Sequence, residues 1–264
     1  MTVQSPATPE IHPTALIDPS AELAPGVVVG PFSIIGPGVR VGARTRIAGH
    51  VLIERDTTVG EECTIHQGAV LGTDAQDLKY MGEPTTLSVG DRTVIREYAT
   101  LNRGTLASGY TAVGSDCMLM AYTHVAHDCH IGNHVILSNA VNMAGHVTIG
   151  DWAIVGGLTP IHQFVRIGSH AFVGGATRVA KDVPPYVKAA GSPMQLYGLN
   201  SVGLQRRGFS DEVRRELKRA YRLFFASNHN VAQALARARE ELRAIPEVEV
   251  FLDFFENSER GVQV

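Results

Sequence analysis

Val113-Gly114-Ser115-Asp116-Cys117-Met118, Leu119-Met120-Ala121-Tyr122-Thr123-His124 and Val125-Ala126-His127-Asp128-Cys129-His130 are three consecutive hexapeptides, each opening on an aliphatic residue and carrying a small one at its fifth place. The same phase runs upstream from Ile11 through Ile17, Leu23, Val29, Ile35, Val41, Ile47, Ile53, Val59 and Ile65 to Leu71, and returns at Val89, Ile95 and Leu101. Downstream it passes Ile131, Leu137, Met143, Ile149, Val155, Ile161, Ile167 and Val173 to Val179. From Ala15 to Val183 the fifth residue is Ala, Val, Ser, Thr or Cys without exception. A period of six is neither the 3.6 of a helix nor the plain alternation of a lone strand, so it marks a repeat architecture.

Each hexapeptide reads as one flat side of a triangular coil. Three sides, eighteen residues, close the coil, and coils stack at the inter-strand spacing of roughly 4.8 Å. The aliphatic residue fills the interior and the small one fits where a corner leaves little room. The 26 hexapeptides make about nine coils. The expected fold is mainly β with an α-helical C-terminus: a parallel β-helix over 1–191 and a helical domain over 192–264. The inward aliphatic residue is missing over 73–88 and roughly 103–112, which therefore read as external loops on the scaffold.

Past Val183 the composition changes. Pro184-Pro185 and Ser192-Pro193 punctuate the exit. Ser210 reads as an N-cap before Asp211-Glu212, with Val213, Leu217, Ala220, Tyr221, Phe224 and Phe225 at helical spacing. Asn230 with Gln233 resembles a capping box, and Pro246-Glu247 suits the first turn of another helix. Seven basic and three acidic residues lie between Arg206 and Arg222, against four and seven between Arg237 and Arg260. That segregation suits either solvated helix faces or a basic surface for an acidic partner or a phosphate.

The 264 residues carry a formal charge of -3, with no apolar run of membrane-spanning length and no signal sequence. A cytoplasmic protein that binds no nucleic acid is expected. Cys63, Cys117 and Cys129 each occupy a fifth position and read as buried packing residues rather than nucleophiles. Chemistry concentrates instead in histidine: His124, His127, His130 and His134, then His146 and His162. Eighteen-residue arithmetic puts His127-Asp128 and Gly145-His146 on adjacent rungs of one outer edge, with Gln163 one rung further. Glycine beside His127 leaves room for a ligand, and a histidine there suits a general base at neutral pH.

Together with these repeats, several segments resemble the UDP-N-acetylglucosamine acyltransferases of lipid A biosynthesis over essentially the whole chain. They are Gln76-Asp77-Leu78-Lys79-Tyr80, Asn102-Arg103-Gly104-Thr105, His124-Val125-Ala126-His127-Asp128-Cys129, Ala144-Gly145-His146-Val147, Ile161-His162-Gln163-Phe164, Asp182-Val183-Pro184-Pro185-Tyr186 and Arg206-Arg207-Gly208-Phe209. The resemblance implies a left-handed coil and a homotrimer with sites between subunits. It implies transfer of an R-3-hydroxyacyl group from acyl carrier protein to the 3-hydroxyl of UDP-N-acetylglucosamine, without metal or cofactor. His127 matches the base, Asp128 its assistant and the Gly145 N–H the oxyanion donor. Asp77 and Lys79 match sugar-loop residues that orient the acceptor, with His124 and His146 beside it. Gln163, Asn200, Arg206 and Arg207 match the nucleotide side, and Gln76 and His162 complete the substrate-binding set. Gly175 matches the position that limits acyl length, and Phe172 lies near it. Asn102 and Val202 depart from the family, where histidine and an acidic residue are expected, so the acceptor atom stays open between a 3-hydroxyl and a 3-amino group. Other readings are zinc held by the histidines, as in γ-class carbonic anhydrases, the sister N-acyltransferase, and a scaffold without chemistry.

Overall fold

The computed structural model describes residues 8–263. Twenty-five short strands from Glu10–Ile11 to Phe172–Val173 form three parallel sheets, and every third strand joins the same sheet. Where the repeat is unbroken the partners are eighteen residues apart, as in His124 beside Asn142 and Asn142 beside Pro160. The aliphatic position points inward: Val125, Leu137, Val155 and Val173 are fully buried. Each such side chain contributes about 1.5–3 kcal/mol. Isolated bridges from Ile161 to Val179 and from Ile167 to Val183 complete the ninth coil.

The fifth position does more than save space. Ser33, Thr45 and Thr93 hydroxyls donate to the carbonyls of Ala48, Gly60 and Gly114 at the corner of the next coil, at 2.7–2.8 Å. The three cysteine thiols occupy the same place and reach Gly90, Gly132 and Ala144 carbonyls at 3.1–3.2 Å. Burial pushes the Cys117 and Cys129 thiols up to about 11 and about 12. They are packing residues, as their spacing predicted.

Most corners are made by the third residue after an aliphatic one, and the non-glycine residues there adopt φ between 53° and 67° from Phe32 to Tyr186. Side chains eighteen apart then stack in columns up the prism. The first corner carries Asp128, His146 and Phe164. The second carries His134, Trp152, His170 and Tyr186, with His134 3.9 Å from Trp152. The third carries Tyr98, Tyr122, Leu158 and Ala176, the two tyrosine rings 5.4 Å apart.

The two breaks are shorter than the loss of phase suggests. Strands Thr86–Val89 and Tyr110–Val113 begin before the next aliphatic position, with Leu87 and Thr111 fully buried. At the far end, Val187–Ala190 and Gln195–Leu199 pair antiparallel over the last coil. Four helices follow: α1 (Ser201–Arg206), α2 (Asp211–Phe225), α3 (Val231–Glu241) and α4 (Pro246–Glu256). Ser210 caps α2, Asn230 and Gln233 form the capping box of α3, and Pro246 opens α4. The α1 turn, capped by Asn200, is too short to leave a periodic signal. Phe224, Phe251 and Phe255 bury the helices on one another. Among the described residues no helix is long and apolar enough to cross a membrane.

Candidate active site

The first corner gathers His124, His127, His146 and His162, while His134 stands on the second corner against Trp152 and His130 stacks on Tyr110 at 4.6 Å. Register stacks His127 on Gly145 and Gly145 on Gln163, and likewise Asp128 on His146 on Phe164. The His146 ring lies 4.5 Å from that of Phe164, nearly parallel, and meets His127 edge-on at 5.2 Å. A Cβ added at Gly145 would stand 2.5 Å from His127 Cε1 and 2.7 Å from Nε2, so glycine is what leaves the imidazole its place.

His127 is 9% exposed and its Nδ1 lies 2.8 Å from Asp128 Oδ2. The buried Asp128 carboxylate also accepts the Thr105 N–H at 2.9 Å, the Thr105 hydroxyl at 2.7 Å and the Ser108 hydroxyl. Burial alone would raise this carboxyl; the hydrogen bonds from Ser108, His127 and Thr105 outweigh it and hold the group well below the usual carboxylate range. A permanent carboxylate only accepts, so a neutral His127 carries its proton on Nδ1 and presents the Nε2 lone pair outward. His124 bonds Thr100 Oγ1 through Nδ1 at 2.7 Å. Burial, and then the neighbouring His127, lowers its pKa. Burial lowers that of His146 as well.

His124 and His127 line a cleft of about 540 Å³ with Gln76, Asn142, Gly145 and Gln163. Gln76 comes from the first loop, in which Asp77 Oδ1 accepts the Lys79 N–H at 3.0 Å and Leu78 and Met81 stand almost wholly in solvent. His162 is exposed on the same corner, its Nδ1 3.2 Å from the Gln163 carbonyl.

The base of that loop is closed by a residue whose role the sequence did not disclose. Arg103 is fully buried; its guanidinium donates to the carbonyls of Gly72 and Thr85, each at 2.9 Å, and to that of Arg55. Entry and exit of the loop are thus tied to one side chain. Asn102 adds bonds to Thr73 Oγ1 at 2.8 Å and the Asp74 carbonyl at 2.9 Å. The available signal was an arginine two residues after the last inward aliphatic residue before a break. Arg103→Met leaves two buried carbonyls and one partly buried one short of a donor and is expected to lower unfolding free energy by about 3 kcal/mol in urea titration. An unchanged midpoint would reject the clamp. Thr105 is a further correction: as fifth residue of the Leu101 hexapeptide it should turn inward, but it turns out to Asp128.

Other candidates lie elsewhere on the prism. Asn200 caps α1 by accepting the Gly203 N–H and donates to the His170 carbonyl at 3.0 Å. The Arg207 guanidinium sits 5.2 Å from the centre of Trp152, with Nη1 3.3 Å from His170 Nδ1. Burial, reinforced by Arg207, pushes His170 down to about 4. These residues belong to the second corner, and Arg206 is exposed beside them. Gly175 is on the third corner, where an added Cβ would meet the Gly157 carbonyl at 3.2 Å. Phe172 pairs with Ile154 and Lys188 and is 37% exposed. One chain therefore places the candidate base with Gln163, the rest of the nucleotide set (Asn200, Arg206 and Arg207) and the acyl group on three corners with a filled core between them. Val202, in α1, is exposed.

The ligand atoms of His127, Asp128 and His146 lie within 4.8 Å of one another, the only such cluster among the described residues. Both Asp128 oxygens already accept two hydrogen bonds each, one of them from His127 itself. A metal would have to displace that set, so the donor chemistry favours a pair that handles protons.

A family model described as Udp N-acetylglucosamine O-acyltransferase, domain 2, matches residues 182–263, and one for the bacterial transferase hexapeptide (six repeats) matches residues 110–145. A Burkholderia lata relative named as an acyl-(acyl-carrier-protein):UDP-N-acetylglucosamine O-acyltransferase is 46% identical over 257 residues, 96% of this chain and 98% of its own. A Pseudomonas entomophila protein of the same name is 48% identical over 199 residues, 75% of this chain and 77% of its own. Among solved structures, a UDP-N-acetylglucosamine acyltransferase from Bacteroides fragilis, 41% identical, matches with a TM-score of 0.94 over 96% of this chain and 99% of its own. The coil is left-handed, as expected. With its repeats, its helical C-terminus and relatives this similar along their full length, the chain belongs to the UDP-N-acetylglucosamine O-acyltransferase family.

Proposed function

We propose that this protein transfers an R-3-hydroxyacyl group from acyl carrier protein to the glucosamine 3-hydroxyl of UDP-N-acetylglucosamine, the first step of lipid A biosynthesis, with His127 as general base. The observation that carries this reading is the His127 ring fixed on an ionised Asp128, its free Nε2 turned toward Gly145 and the cleft. Nε2 takes the hydroxyl proton as the sugar oxygen attacks the thioester carbonyl. The oxyanion forms against the Gly145 N–H, which donates to no acceptor among the described residues. Collapse of the tetrahedral intermediate expels the carrier thiolate, which takes the proton back from His127. Gln76, Asp77, Lys79, His124 and His146 orient the sugar. His162 and Gln163 lead toward the nucleotide, which Asn200, Arg206 and Arg207 receive, guanidinium groups suiting its phosphates.

Groups on three corners meet only if corners of different chains face one another, which supports a homotrimer with shared sites. The third corner suits that contact: Tyr98, Tyr122 and Leu158 are 50%, 63% and 70% exposed. Beside them Gly157 and Gly175 leave a notch along which an acyl chain fits, with Phe172 at its edge. On this reading 1–191 is the scaffold and 192–264 the helical domain, of which residues 1–7 and 264 lie outside those described and Gln195–Leu199 is a strand paired to the last coil. Exposed Arg215, Lys218 and Arg222 on one face of α2 suit an acidic carrier, and the carrier-bound donor places the reaction in the cytoplasm.

The test is acyl transfer from a panel of R-3-hydroxyacyl carrier proteins to UDP-N-acetylglucosamine and its 3-amino analogue. Product with either acceptor supports the reaction and identifies the nucleophilic atom. No transfer to either by folded protein overturns it. Mixing His127→Ala with Arg207→Ala subunits is expected to restore sites neither variant has alone; absence of recovery in mixed trimers rejects sharing between chains.

A further inference from the structure

We infer that the turn from Thr105 to Ser108 is a positioning element for the catalytic pair, holding the Asp128 carboxylate and, through it, the His127 ring. The inference rests on His127 being the base. Asp128 occupies a corner with φ of 58°, a place where side chains project out of the coil. Its carboxylate is nevertheless 0% exposed, because the chain leaves the repeat after Leu101 and lays residues 103–110 over it. Close approach makes this cover possible: a Cβ at Gly104 would lie 2.4 Å from the Tyr110 backbone nitrogen.

The turn supplies three of the four donors that the carboxylate receives. Oδ1 takes the Thr105 N–H and the Ser108 hydroxyl; Oδ2 takes the Thr105 hydroxyl and His127 Nδ1. Thr105 Oγ1 also accepts the Ala107 N–H at 3.2 Å, which orients its own proton toward Asp128. Ser108 has one proton and two acceptors in reach, the carboxylate and the Tyr110 carbonyl at 2.8 Å. The ionised group is the stronger of the two. Thr111 Oγ1 takes the Asp128 N–H at 2.8 Å, pinning the backbone as well. Four donors on about four lone-pair sites leave the carboxylate no alternative rotamer, and the imidazole can hydrogen-bond it in one orientation alone. Thr105 and Ser108 are not among the residues that line the cleft, and their hydrogen bonds toward the catalytic pair go to Asp128, so they act through it.

A turn that merely stabilised the loop would look similar in a folding assay, so the test reads coupling to Asp128. Ser108→Ala and Thr105→Val are each expected to lower kcat about 10-fold with both KM values within about 2-fold. Thr105→Ser, which keeps the hydroxyl, is expected to stay within about 3-fold of the parent protein. In an Asp128→Asn background Ser108→Ala should cost less than about 2-fold, because the interaction it removes is already broken. The same 10-fold loss in that background, or a raised KM at unchanged kcat, overturns the inference. If Thr105→Val folds poorly, Ser108→Ala at its half-exposed position still decides. Full activity in Asp128→Asn alone overturns the inference too, whereas full activity in His127→Ala would reject the base assignment itself, an outcome read without any turn variant.

Discussion

His127→Ala is expected to lose acyl transfer by about 10³-fold in kcat, the scale of a removed general base, while its urea midpoint stays near that of the parent protein. The ring lies on the outer side of a corner, and its deletion leaves the inward column of Val125, Met143 and Ile161 untouched. Asp128 is not orphaned, since Thr105 and Ser108 still supply three donors. The cost to folding is thereby limited to the contacts of one imidazole with His146 and Asp128. Single-turnover kinetics with a saturating acyl donor separates chemistry from product release. More than a tenth of the parent rate remaining in the variant would remove His127 from the role of base.

Gly145→Ala should come close to that effect without touching a titratable group. The backbone there is not in the left-handed region, so alanine meets no conformational penalty of its own. The added methyl conflicts with Cε1 and Nε2 of His127, at 2.5 and 2.7 Å. The imidazole is the movable partner, and when it swings aside its bond to Asp128 breaks. Displacement of about 1 Å at a reacting nitrogen costs on the order of 10²-fold, and the methyl also crowds the N–H proposed for the oxyanion. Loss of kcat with an unchanged unfolding transition is the expected signature. A variant with parental kcat would mean that His127 does not work from the position seen here.

The stacking of His127, Gly145 and Gln163 was legible because the coil is a ruler: eighteen residues along the chain is one rung in space, so the column follows by counting. Legibility ended where the count ended. Arg103, Thr105 and Ser108 lie in or beside a break, and their partners are 18 to 48 residues away at places no period specifies. Asn200 and Arg207 follow the exit from the repeat, where capping and an aromatic contact with Trp152 set their positions.

By itself the sequence determined the coil, its core and the helical end, for a physical reason. One inward aliphatic residue in six is buried only when successive turns stack, and helix caps declare themselves within four residues. The tertiary structure decided which side chains hold Asp128 ionised, what closes the first loop, and that α1 brings Asn200 and Arg207 against the second corner. Those outcomes depend on contacts across rungs and between α1 and the coil, and neither is encoded in any local spacing.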